Sequence, residues 1–177
     1  MPTDALSLPG PEGPVFALND AWMQKGVLAS RQGRRGRIML PMHRRAEGVQ
    51  RMVNFVQPGS YIRPHRHPLP GRIECVAVIQ GCMGLFEFSP EGEILRGWRL
   101  EAGMAGACLA DIDAGVWHTM VALAPDSVML EIKAGPYDPS TDKEFGAWSP
   151  AEDSPAAADY LRRLESFFDR ERQDADR

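Results

Sequence analysis

His65 and His67 stand one residue apart in the run Gly59-Ser-Tyr61-Ile-Arg63-Pro-His65-Arg-His67, with Glu74 following and His118 far downstream in Asp113-Ala-Gly115-Val-Trp-His118. Side chains on a strand alternate faces, so His65 and His67 point the same way and can grip one ion between them. The chain has four histidines, and three of them fall in these two segments. That concentration favours a metal site over a pair of loop histidines beside Pro64 and Pro68. Neutral imidazoles with one carboxylate suit a single borderline divalent transition metal: Fe, Mn, Ni, Co or Zn. An octahedral ion held by His65, His67, Glu74 and His118 keeps up to two positions open, as catalytic sites require and closed structural zinc sites do not. Such a vacancy suits polarisation of a substrate carbonyl, activation of water, or O₂ binding at Fe(II).

The same parity brings in candidate ligand contacts. Tyr61 and Arg63 share parity with His65 and His67 and are expected to face the same cavity, with Arg66 facing away. An inward arginine is costly unless it meets a carboxylate or an anionic ligand, which makes Arg63 the expected principal charged contact. His43 lies outside both segments and is a candidate for the site rim. Glu131 and Lys133 alternate with Val128, Leu130 and Ile132. The simple reading puts the aliphatics in the core and the ion pair outside. An inward acid–base pair, suited to proton transfer, is the alternative.

The elements that must position these residues read as short strands separated by turns. Candidate strands are Arg37 to His43, Val49 to Gln57, Tyr61 to His67, Glu74 to Gln80, Gly84 to Ser89, Glu93 to Leu100, Cys108 to Ile112, Val116 to Leu123 and Ser127 to Lys133. Regular spacing with turn signals between them predicts a sandwich or small barrel. Asn19 is placed to cap a short helix from Asp20 to about Ser30, anchored by Trp22 and Met23, although Gly26 weakens it. Ser154 and Pro155 read as N-cap and first residue of a second helix, with Tyr160, Leu161, Leu164, Phe167 and Phe168 on one face. Residues 170–177 are charged and expected to fray. This gives an N-terminal arm and short helix over 1–48, a β body over 49–135, and an irregular extension with the C-terminal helix over 136–177.

Composition narrows the classes. At 177 residues the chain suits one domain with a real core. A net charge of −4 gives no electrostatic footprint for nucleic acid. Arg31-Gln-Gly-Arg34-Arg35-Gly-Arg37 packs four arginines into seven residues and reads as a solvated loop before it reads as an anion patch. The three cysteines, Cys75, Cys82 and Cys108, sit among apolar residues without zinc-knuckle spacing. No apolar run approaches a membrane span, and the start shows no secretory signal. A reducing cytoplasm is the expected compartment. Open sheet edges predict a homo-oligomer, most simply a two-fold homodimer, with the residues before Val49 as the segment to cross over.

Gly59-x5-His65-x-His67-x6-Glu74-x6-Gly81 resembles the first motif of the cupin superfamily, and Asp113-Ala-Gly115-x2-His118 resembles its second. The His67-to-Glu74 gap is longer than usual because of Pro68-Leu-Pro-Gly-Arg72. Asp113 replaces the usual proline, and Ala122 stands where asparagine is common. More narrowly, Pro41-Met-His43, Val49-Gln-Arg-Met-Val-Asn54, Pro58 to Pro68, Gly115-Val-Trp-His-Thr119, Glu131-Ile-Lys-Ala-Gly-Pro-Tyr-Asp-Pro139 and Asp142-Lys-Glu-Phe145 are similar to the WbuC family of cupin-fold metalloproteins, found in bacterial cell-surface polysaccharide gene clusters. The resemblance implies a mainly β protein, a cupin double-stranded β-helix forming a conical antiparallel β-barrel with a metal inside. A short N-terminal helix and a C-terminal amphipathic helix flank it. It implies a small-molecule ligand, plausibly a sugar or sugar-nucleotide intermediate. Isomerisation or epimerisation through a metal-polarised carbonyl fits that context. An Fe(II) dioxygenase and a binding or sensing module without turnover are the alternatives, since fold alone does not fix function.

Overall fold

The structure is a computed structural model and describes residues 5–103 and 106–175. Its strands are β1 (Arg37–Pro41), β2 (Val49–Val56), β3 (His65–Arg66), β4 (Glu74–Gln80), β5 (Cys82–Phe88), β6 (Ile94–Glu101), β7 (Leu109–Ile112), β8 (Trp117–Ala122), β9 (Ser127–Ala134) and β10 (Glu144–Phe145). Helix α1 (Asp20–Gln32) precedes them and α2 (Ala156–Ala175) follows. The strands form two antiparallel sheets, in the orders β1-β2-β9-β4-β7 and β10-β3-β8-β5-β6. The two sheets face one another as an open sandwich. At the β6–β7 edge they are linked by an isolated bridge between Leu100 and Ala107 and not by a continuous ladder, so the expected barrel is not closed by hydrogen bonds.

Strand alternation divides the apolar residues among three layers. Between the sheets lie Val56, Val76, Val78, Met83, Leu85, Leu100, Ile112, Met120 and Met129. The outer face of the first sheet presents Ile38, Leu40, Val53, Phe55 and Val128 to α1 and to Leu8, Phe16 and Leu18 of the preceding segment. The outer face of the second sheet presents Phe86, Phe88, Trp117 and Val121 to Leu161, Leu164 and Phe168 of α2. The apolar stripe expected on the second helix is thus its packing face.

Asn19 caps α1, its side chain accepting from the Trp22 amide at 3.2 Å. Gly26 turns out to be the residue that lets this helix pack. A β-carbon there would lie 2.2 Å from Cζ of Phe55, a ring with no exposed surface. Gly84 plays the same part opposite Phe168 of α2, at 2.3 Å.

Several expectations need correction. The segment Tyr61 to His67 is not one strand; only His65–Arg66 pairs, with β8 on one side and β10 on the other. The Ser154 hydroxyl makes no capping bond, and the Ser154 carbonyl instead accepts from the Ala157 amide at 3.1 Å. The α2 helix runs through Ala175, where fraying was expected from residue 170; residues 176–177 lie outside the described residues. The arginine-rich loop is not simply solvated. Arg31 bonds Asp126 at 2.8 Å, Arg34 bonds Asp153 at 3.0 Å, and Arg35 and Arg37 share Glu152. It therefore fastens the end of α1 to the segment before α2. Within the chain, Leu8 donates to Met39 at 2.8 Å and Ser7 bridges Met39, so the segment before β1 lies along the first sheet. No helix among the described residues is long and apolar enough to cross a membrane.

Candidate metal centre

His65, His67, Glu74 and His118 converge between the sheets, with one donor atom from each lying within 4.8 Å of all the others. β3 supplies His65, the residue after it supplies His67, β4 opens with Glu74, and β8 carries His118 directly opposite His65. The two motif segments are tied together by the Gly115 amide, which donates to the His67 carbonyl at 2.9 Å. The long gap before Glu74 is absorbed by a turn. Arg72 N donates to Leu69 O at 3.2 Å, Gly71 takes φ +74°, and the Arg72 side chain is anchored on the Ala134 carbonyl at 2.7 Å. Glu74 therefore reaches the cluster despite the insert.

All four side chains are no more than 4% exposed. Each imidazole commits Nδ1 to a backbone carbonyl: His65 to Arg63 at 2.9 Å, His118 to Val116 at 2.9 Å, and His67 to Asp142. A carbonyl can only accept, so Nδ1 carries the proton and Nε2 presents its lone pair. Outer-sphere carbonyls orient metal-binding histidines in the same way. Nε2 of His65 and Nε2 of His118 are buried with no hydrogen-bond partner. Nε2 of His67 faces a Glu74 oxygen at 2.8 Å, and Nε2 of His118 lies 3.6 Å from the same atom. A cation between them would relieve the opposition of these lone pairs. Three nitrogen donors and one carboxylate fit a divalent transition ion.

The electrostatics agree with that geometry. Burial, reinforced by the charge of Lys143 and by the neighbouring His118, holds His65 well below the usual histidine range, so it stays neutral and able to ligate. Burial alone would raise Glu74, but the adjacent His118 and His67 and the charge of Lys143 hold it well below the usual carboxylate range, so it is ionised.

A cavity of about 270 Å³ leads to His65 and Glu74, walled by Arg37, Asn54, Arg63, Glu131, Lys143 and Phe145 among others. It shares Arg35, Arg37, Asn54, Glu131 and Lys143 with a wider outer cavity of about 550 Å³, on whose wall His43 lies. Arg63 does line the inner cavity, yet its guanidinium is already engaged by Ser149 Oγ at 3.1 Å and the Gly146 carbonyl at 3.0 Å, and it lies over the Phe145 ring. Tyr61 is elsewhere. The chain from Tyr61 to Pro64 is not strand, so parity does not carry over it; the ring packs in the α2 layer and its hydroxyl donates to the Pro150 carbonyl at 2.9 Å. Arg66 faces away as expected, paired with Glu144 at 2.8 Å.

Glu131 and Lys133 overturn the simple reading of β9. Both are buried and face inward, whereas Ile132 is the exposed one. Val128 misleads because α1 covers its face, making an outward position apolar. Asn54 donates to Glu131 at 2.7 Å, and Lys133 sits 3.8 Å from Glu131 and 3.0 Å from Asp142. Burial, then the nearby charge of Glu74, pushes the Glu131 carboxyl up. Asp142 orients His67 through its carbonyl and holds Lys133 through its carboxylate, a role with no local motif to betray it.

Residues 18–100 match a family described as a domain of unknown function (DUF6016). No curated protein matches the chain. Among solved structures, the chain is similar to the capsular polysaccharide assembling protein CapF from Staphylococcus aureus, at 19% identity and TM-score 0.50 over 60% of this chain and 31% of that one. It is also similar to KdgF from Halomonas sp., at 20% identity and TM-score 0.45 over 59% of this chain and 82% of that one. Oxalate decarboxylase from Bacillus subtilis follows at 19% identity and TM-score 0.44, over 56% of this chain and 24% of that one. The sheets, their helical cover and this likeness together identify the fold as the cupin fold, with three imidazoles and one carboxylate gathered between its sheets.

Proposed function

We propose that this chain is a metal-binding cupin protein holding one divalent transition metal on His65, His67, Glu74 and His118, with a small polar or anionic molecule as its ligand. The observation that carries the reading is the pair of buried Nε2 atoms, on His65 and His118, that have no hydrogen-bond partner. Leaving two such atoms unsatisfied costs about 1–3 kcal/mol each, which an ion would offset. A bound divalent ion supplies Lewis acidity to an oxygen of the ligand. Elemental analysis should find one ion per wild-type chain and almost none in His65→Ala/His67→Ala. Full stoichiometry in the double variant would remove the assignment.

Proton transfer is the chemistry the surrounding residues suit. Glu131 lines both cavities, is held in place by Asn54, and has its carboxyl raised by burial towards the range useful for a general acid or base. Lys133, enclosed by Glu131 and Asp142, can stabilise the carboxylate form. This arrangement favours metal-dependent isomerisation or epimerisation over a sensing module, and the WbuC resemblance favours a sugar intermediate of cell-surface polysaccharide synthesis as the ligand. His43 and Arg63 would contribute to the walls around it. The three free cysteines accord with the cytoplasm as compartment.

A further inference from the structure

Four cations line the inner cavity: Arg35, Arg37, Arg63 and Lys143. Arg35 and Arg37 are spent on Glu152. Arg63 is spent on Ser149 and Gly146. Among the described residues Lys143 has no hydrogen bond or ion pair, and its charge acts through space on His65, Glu74 and Glu131. Lys143 stands immediately before β10, exposed, and lines the cavity together with Phe145, which pairs with His65, while Glu144 turns out to Arg66. Lys143, like Arg35 and Arg37, also lines the outer cavity, and of these three it alone has no carboxylate partner among the described residues.

We propose that Lys143 is the residue that binds the charged end of the ligand, a small molecule with a carboxylate or phosphate at one end and an oxygen donor for the metal cluster at the other. The proposal rests on the metal reading above for the second contact only. An inner cavity of about 270 Å³ suits a compound of sugar-acid size and falls below the ~300–1,000 Å³ of drug-sized sites. The ammonium is a compact point charge with rotatable donors, so it accepts either oxyanion. The ligand's charge completes a wall in which every other cation already has a partner.

The test is calorimetry on metal-loaded wild type, Lys143→Gln and Lys143→Arg, titrated with malonate, inorganic phosphate and neutral malonamide, with metal content measured for each protein. Wild type should bind malonate or phosphate, and the tighter of the two names the source of the oxyanion. Lys143→Gln should bind that anion about ten- to a hundredfold more weakly, as for loss of a charged hydrogen bond. Its metal content and its response to malonamide should be unchanged, and Lys143→Arg should recover most of the affinity. Equal anion affinity in wild type and Lys143→Gln, or no anion binding by wild type, overturns the proposal. Wild type without metal overturns the metal reading instead, and the same titrations on the metal-free protein still report on Lys143.

Discussion

At the scale of the residue, three imidazole tautomers are fixed by three backbone carbonyls, and the lone pairs left over share one point with Glu74. That arrangement is costly without an ion, and the cost depends on pH. In protein stripped of metal, His65 has its proton affinity held well below the usual value near 6.5 by burial and by Lys143 and His118. The unfolded chain takes up that proton once the pH falls below about 6.5, and the folded chain does not. Stability therefore falls with acidification from about 6.5 down towards the depressed folded value, by up to about 1.4 kcal/mol per pH unit for a full proton. Glu74 acts in a separate window: its depressed carboxyl adds stability above about 4.5 that is lost only as the pH falls through its lower folded value. Urea midpoints of chelated wild type and His65→Gln at pH 7.5 and 5.5 check this. The wild type should lose more stability on acidification, and equal losses would contradict the account.

At the scale of the element, glycines set how closely helices approach sheets. Helix propensity alone says that Gly26→Ala should stabilise α1 by up to about 1 kcal/mol. The added β-carbon would instead meet the Phe55 ring at 2.2 Å, and that ring is enclosed on all sides. Overpacking of this kind costs about 1–3 kcal/mol, so the variant should unfold at lower urea than wild type. A higher midpoint would show that α1 can lift off the sheet freely. The sequence is most readable at this scale where one local signal decides the outcome. Alternation and turn residues locate Glu74 to Gln80 as β4 without error, and Asn19 marks the start of α1. It misleads where a distant element decides. Val128 is apolar because α1 covers it, so the β9 pattern points Glu131 and Lys133 the wrong way. Tyr61 follows histidine parity on paper, but its ring is claimed by the α2 layer. The ligand cluster is legible because its spacing is local to two turns; Asp142 and Lys143 are not, because only the return of the chain to pair β10 with β3 brings them to the site.

At the scale of the whole molecule, the open side of the sandwich is the edge between β6 and β7, where Leu95, Trp98 and Leu109 are exposed. This exposed edge is a second place where another copy would pair, beside the expected crossing of the residues before Val49. We expect a homodimer: light scattering at micromolar concentration should give twice the chain mass, and Trp98→Lys/Leu109→Lys should give the single chain. A monomeric wild type would remove the expectation. Two helices clamp the outer faces, an ion-paired arginine loop ties their ends together, and the interior left between the sheets holds the histidine cluster and the cavities that lead to it. The account therefore stands or falls on what occupies that interior. Anomalous scattering from a crystal of metal-loaded protein measures it directly. The prediction is one ion at about 2.0–2.2 Å from Nε2 of His65, His67 and His118 and from a Glu74 oxygen. An ion bound elsewhere, or a Glu74 carboxylate turned well beyond that distance, would contradict the four-ligand centre.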